Sequence, residues 1–82
     1  MVEIRLLLFS ALKEKVGTGC LHVSLPSSAT VEDLWTHLCR SYPAVQAFRP
    51  VARVAVNCEY VTEDCLLRDG DEVALITPVS GG

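Results

Sequence analysis

The last five residues, Pro78-Val79-Ser80-Gly81-Gly82, hold the group with the most evident chemistry, a carboxylate behind two glycines. Without a Cβ, a Gly-Gly end can thread a narrow channel and let another protein's catalytic groups approach the final carbonyl closely. The Gly82 carboxylate itself is inert toward nucleophiles until it is activated, for example as a mixed anhydride with AMP. A plainer reading makes the dipeptide a disordered end or a cloning remnant. The chemical reading gains from the way the tail is attached. Asp69-Gly70-Asp71 is a turn signal, because Gly accepts positive φ and Asp bonds its own backbone. Glu72 to Thr77 then reads as a strand in which Val73 and Leu75 alternate with Glu72, Ala74 and Ile76. Pro78 brings no N–H to a ladder, so pairing should stop there. The tail thus leaves a strand with no linker. The expected organisation is one domain over residues 1–77 and a flexible tail over 78–82.

Other chemistries find less support. Cys20, Cys39, Cys58 and Cys65 form no C-x-x-C pair, and His22 and His37 fall at no zinc-ligand spacing from them, so no metal site is expected. Without a signal peptide to support disulfides, the cysteines read as reduced, partly buried small hydrophobes. The net charge of −3 is mild and scattered, with no basic run or aromatic-basic interleaving, which removes the usual nucleic-acid footprint. No apolar stretch approaches the roughly 20 residues of a membrane span, and Glu3 and Arg5 interrupt the apolar start. The expected setting is the cytosol. A chain of 82 residues makes one domain, burying roughly 60–65% of its unfolded surface.

The elements that must carry the tail are legible from periodicity. Val2 to Phe9 is a strand, with Val2, Ile4, Leu6 and Leu8 on one face and Glu3, Arg5, Leu7 and Phe9 on the other. Ser10 to Val16 has short helical character, stopped by Gly17 and Gly19. Cys20 to Leu25 is a second strand. Thr30 is an N-cap for a helix over Val31 to Tyr42, with Asp33 in a near-variant of the capping box. Val31, Leu34, Trp35, Leu38 and Tyr42 form one apolar stripe, which makes Trp35 core and leaves His37 solvated. After a Pro-punctuated connection, Arg53 to Asn57 is a third strand. Asn57-Cys58 serves as a two-residue turn into Glu59-Tyr60-Val61. Thr62 to Leu67 reads as irregular or a single helical turn.

The order β-β-α-β-β-β implies an α+β protein of β-grasp arrangement: a mixed sheet of about five strands with one main helix on one face. The last strand must be central if the tail is to project from a rigid base. One helix covers one side, so Ile4, Leu6, Leu8, Val54, Val56, Val73 and Leu75 go with its stripe. Phe9, Tyr60 and Ile76 fall to the other side, near the root of the tail. They form either a docking patch or ordinary scattered surface apolars.

Several segments together resemble the small, sulfur carrier subunits of molybdopterin synthase, in the ubiquitin-like β-grasp family. They are the opening Val-Glu-Ile-Arg-Leu-Leu-Leu-Phe-Ser, Ala29-Thr-Val-Glu-Asp-Leu, Ala55-Val-Asn-Cys-Glu-Tyr-Val61, and Leu67-x-Asp-Gly-Asp-Glu-Val-Ala with the terminal Pro-Val-Ser-Gly-Gly. The resemblance spans essentially the whole chain. Ile76-Thr77-Pro78 departs from it, since members often have two successive prolines there. The resemblance implies a carrier rather than an enzyme in its own right, with no permanently bound cofactor. An E1-like adenylyltransferase would use ATP and Mg²⁺ to form the Gly82 acyl-adenylate, and a sulfur donor would convert that to a thiocarboxylate. The tail would enter the large subunit of a heterotetramer and give sulfur to cyclic pyranopterin monophosphate during molybdenum cofactor biosynthesis. The family's interface motif maps onto Phe9, Tyr60 and Ile76. A carrier for thiamine synthesis or tRNA thiolation, and a ubiquitin-like modifier joined to lysines through Gly82, are the alternatives with the same activation chemistry.

Overall fold

Alternating apolar residues produce the strands, and the computed structural model, which describes residues 1–77, places them in one mixed five-stranded sheet. In chain order the elements are β1 (Val2–Leu8), α1 (Ser10–Val16), β2 (Cys20–Leu25), α2 (Val31–Ser41), a 3₁₀ helix (Pro43–Phe48), β3 (Arg53–Val56), β4 (Glu59–Val61) and β5 (Glu72–Ile76). The sheet order is β2-β1-β5-β3-β4. β5 is therefore the middle strand, parallel to β1 and antiparallel to β3. The ubiquitin-like β-grasp expectation holds, including the central last strand. Among the described residues no helix is long and apolar enough to cross a membrane.

The turn before β5 makes that central pairing possible. A parallel pair cannot be closed by a tight hairpin, so its register must come from elsewhere. Here Asp69 Oδ1 accepts from the Glu3 N–H at 2.8 Å, and the Gly70 N–H donates to Glu3 O at 2.8 Å. The Arg5 N–H then bonds Asp71 O at 2.9 Å. Gly70 sits at φ 87°, a left-handed conformation that costs residues with a Cβ more than glycine. Asp71 also accepts from the Arg68 N–H at 2.8 Å and from Asn57 Nδ2 at 2.9 Å. The first and last strands are thus pinned together before the ladder begins.

Asn57 and Cys58 both have positive φ, 51° and 72°, the requirement of a type I′ hairpin turn. Asn57 tolerates this well, and its side-chain and backbone bonds to the start of β5 add a reason. Its N–H donates to Glu72 O at 2.8 Å and its Oδ1 accepts from the Glu72 N–H at 3.1 Å.

α2 starts with a full capping box: the Asp33 N–H donates to Thr30 Oγ1, and the Thr30 N–H donates to Asp33 Oδ2 at 2.9 Å. Two further N–H groups of its first turn, those of Val31 and Glu32, bond the carbonyls of Cys65 and Glu63. This satisfies donors that a helix start otherwise leaves open. It also explains the irregular Thr62–Leu67 stretch, which runs along the start of α2 and forms a bridge from Thr30 to Leu66. The helix ends one residue earlier than its stripe suggests, with Tyr42 as C-cap.

The segment read as a Pro-punctuated connection contains a 3₁₀ helix. Pro43 stops α2 because it lacks an N–H, yet its fixed φ suits the first position of a new turn. Val45 and Phe48, three apart, then face inward, and Val45 is fully buried. The cysteines also need a correction. All four are free thiols, but only Cys39 and Cys65 pack partly against the core, while Cys20 and Cys58 are exposed.

One core lies between sheet and helix. Ile4, Leu6, Leu8, Val73 and Leu75 meet Leu34, Trp35 and Leu38 of α2 there, each at 2% exposure or less. No polar or charged side chain is buried among the described residues. Replacing Trp35 with alanine removes the largest fully buried side chain. Trp35→Ala should lower the unfolding free energy in a urea titration by roughly 3–5 kcal/mol.

Candidate docking face and tail root

α2 covers one side of the sheet, so strand alternation fixes what the other side shows. The central row on that open side is Leu7, Ala74, Ala55 and Tyr60, each opposite the next in register across β1, β5, β3 and β4. Toward the end of β5 come Ile76 and, just past the end of β1, Phe9. Small side chains at the two middle positions and larger ones around them make a shallow hollow of about 300 Å³. Ala55 lies buried in this hollow, opposite Tyr60 on one side and Ala74 on the other.

The structure brings together all three sequence-predicted docking residues, Phe9, Tyr60 and Ile76. Phe9 and Tyr60 remain 45% and 67% exposed, and Ile76 is half-buried. They line one hollow. Sequence reading did not assign Leu7, Ala55, Ala74 and Cys58 to it. The signal was available for Leu7 and Ala74, which share parity with Phe9 and Ile76. Ala55 and Cys58 required the pairing register of β3 and β4.

The hollow has a charged margin. Arg5 and Glu72, opposite one another on β1 and β5, form an ion pair with both side chains more than a third exposed. Such a pair contributes little to stability; it marks where the apolar area stops. Arg53, exposed and opposite Ile76 in register, borders the other end.

β5 ends at Ile76, and Thr77 is the last described residue. Pro78, Val79, Ser80, Gly81 and Gly82, the predicted tail and its carboxylate, lie outside the described residues. The described part of the site is therefore its base: a central strand held by hydrogen bonds on both edges, leading directly toward the tail, with an apolar hollow beside its end. Such a base is suited to presenting a chain end to a partner that docks on the open side.

A model of the ThiS family matches residues 6–82. The molybdopterin synthase sulfur carrier subunit of Arabidopsis thaliana is 35% identical over 81 residues, covering 99% of this chain and 84% of the plant protein. The chain belongs to the ThiS family, with the molybdopterin synthase sulfur carrier subunits. Among solved structures, the putative molybdopterin converting factor, subunit 1, from Pyrococcus furiosus superposes with a TM-score of 0.88 at 25% identity, covering 96% of this chain and 100% of that one. The small archaeal modifier protein 1 of H. volcanii superposes with a TM-score of 0.87 at 27% identity, with the same two coverages. The family match runs through Gly82.

If the hollow is a surface rather than part of the core, charge should be tolerated there. Phe9→Asp should change the unfolding free energy by no more than about 1 kcal/mol, and a collapse of the melting transition would place Phe9 in the core instead.

Proposed function

We propose that this chain is the sulfur carrier subunit of a molybdopterin synthase and works through the Gly82 carboxylate. The observation that carries the reading is the apolar hollow formed by Leu7, Phe9, Tyr60, Ala74 and Ile76 beside the end of the central strand. A carrier must be held by its partner close to its reactive end, and this hollow adjoins the root of the tail. The family membership and the naming of the plant relative support the same assignment.

The chemistry divides between this chain and its partners. An E1-like adenylyltransferase joins the Gly82 carboxylate to the α-phosphate of ATP, with Mg²⁺, and pyrophosphate leaves. A donor of sulfide-level sulfur then attacks the acyl carbon of the adenylate, AMP leaves, and the product is a thiocarboxylate. Sulfur is a softer and better nucleophile than the carboxylate oxygen it replaces. In the large subunit the thiocarboxylate sulfur attacks a side-chain carbon of cyclic pyranopterin monophosphate, and the oxygen bonded to that carbon leaves. Hydrolysis of the resulting acyl link leaves sulfur on the pterin and returns the Gly82 carboxylate. Two such deliveries make one dithiolene, which suits a heterotetramer with two carriers. This chain's contribution is to bind, to orient the tail and to fit a channel. The glycines matter for the last of these, because no Cβ obstructs the approach to the reacting carbonyl.

A second reading is favoured by the similarity to the small archaeal modifier protein 1. There the same activated Gly82 would be passed to a lysine amine, giving an isopeptide bond in place of a thiocarboxylate. Mass spectrometry of the chain recovered from its native lysate separates the two. Sulfur in place of oxygen on the C-terminal peptide supports the carrier, and lysine conjugates support the modifier.

Extending the chain by one alanine after Gly82 should abolish sulfur transfer while leaving folding and large-subunit binding intact; unchanged transfer would sink the carrier reading. Tyr60→Asp places a charge in the hollow. It should weaken large-subunit binding, measured by calorimetry, roughly 30-fold, the size of a hot-spot loss of about 2 kcal/mol.

A further inference from the structure

The sheet has two edges, and they are unlike. β4 is three residues long and acidic at and beyond its ends, with Glu59, Glu63 and Asp64. β2 is six residues long, pairs only with β1, and has neither Lys nor Pro within it. Long edges without such residues are the ones that pair with further strands.

The register shows which groups are free. The Leu8 N–H bonds Gly19 O at 2.9 Å, and Leu6 lies opposite Leu21 and Ile4 opposite Val23. Antiparallel ladders alternate, so Leu21 and Val23 exchange bonds with β1, while Cys20, His22 and Ser24 turn their N–H and C=O groups outward. The Thr18 hydroxyl takes those of Cys20, at 3.4 and 3.3 Å. Those of His22 and Ser24 have no partner among the described residues.

A groove runs beside this edge, between β2 and α2. Its first part is a hollow of about 140 Å³ bordered by Leu21, Val23, Leu38 and His37. Its second, of about 370 Å³, continues past His37 to Arg40. Arg40 is exposed and takes part in neither of the ion pairs found among the described residues. The carboxylate of that stretch, Asp33, already accepts the N–H and hydroxyl of Thr30.

We propose that the β2 edge and this groove bind an extended segment of a partner protein, added as a sixth strand. His22 and Ser24 supply the main-chain bonds. Side chains two residues apart on the added strand point into the groove. An apolar one fills the smaller hollow, and an acidic one meets Arg40. This mode gets its affinity from main-chain pairing and its selectivity from alternate side chains. The site lies on the sheet edge, away from the Leu7–Tyr60 hollow, so both can be occupied at once.

The test uses the full chain, isotope-labelled, titrated with a blocked octapeptide Thr-Val-Thr-Glu-Thr-Val-Thr-Glu and followed by amide chemical shifts and hydrogen exchange. Binding with a Kd of about 1 mM or tighter is expected, with shifts centred on residues 21–25 and slowed exchange at His22 and Ser24. Arg40→Glu should weaken it about tenfold, without altering the unbound spectrum beyond its neighbours. Ser24→Pro removes one outward N–H that the sheet itself does not use, a change edge strands tolerate; it should abolish binding. The proposal is overturned by any of four outcomes. These are no shifts up to millimolar peptide, shifts centred on Leu7 and Ala74, equal binding when lysine replaces both glutamates, and protection of His22 and Ser24 by self-association without peptide.

Discussion

The pairing of the first strand with the last is the constraint from which the rest follows. β1 and β5 come from opposite ends of the chain, run parallel and lie next to each other at the middle of the sheet. No hairpin can enforce that pairing, and its loop-closure cost falls on nearly the whole chain. Two things offset the cost. Leu6, Leu8, Val73 and Leu75 are buried together under α2, and the Asp69-Gly70-Asp71 turn bonds the backbone of Glu3 and Arg5 directly. Fixing this pair leaves β2 only the outer edge of β1, and β3 the free edge of β5.

A central β5 also gives the tail its setting. A chain end leaving an edge strand could fray with that strand. Here β5 has ladder partners on both sides, so fraying at Ile76 would also have to break pairing with Arg53 on β3. The same placement puts Ala74 and Ile76 in the middle of the open face, between Leu7 and Ala55. The open-face hollow and the end of β5 are therefore two aspects of one strand.

The two faces of the sheet are built to different rules. The covered face carries branched aliphatic side chains that meet Trp35 and Leu38 and exclude water. The open face carries alanines at its centre and an ion pair at one margin, so it is concave and incompletely covered. Ala55 shows the distinction well. It is as buried as a core residue, yet it lines the open-face hollow and lies outside the core cluster. Filling that position with a larger side chain would remove the hollow without adding to the core.

Periodicity and turn chemistry carried most of the fold, because those signals are local. The alternation of Val2 to Leu8, the stripe from Val31 to Leu38, the Thr30–Asp33 box and the positive-φ turn at Asn57-Cys58 each act within a few residues. The 3₁₀ helix was hidden because Pro43 both ends one helix and starts another, and its three-residue spacing resembles a loop. The Gly-Gly end and the Asp-Gly-Asp turn were likewise plain in the sequence, as was the family to which they point. Parity could assign Phe9, Tyr60 and Ile76 to one face but not to one hollow, since they come from β4, β5 and the residue after β1, whose order and register arise only on pairing. The same holds for Ala55, for the free main-chain groups of His22 and Ser24, and for the groove that sets Arg40 beside them. Short-range chemistry wrote the elements; long-range strand pairing decided which side chains meet.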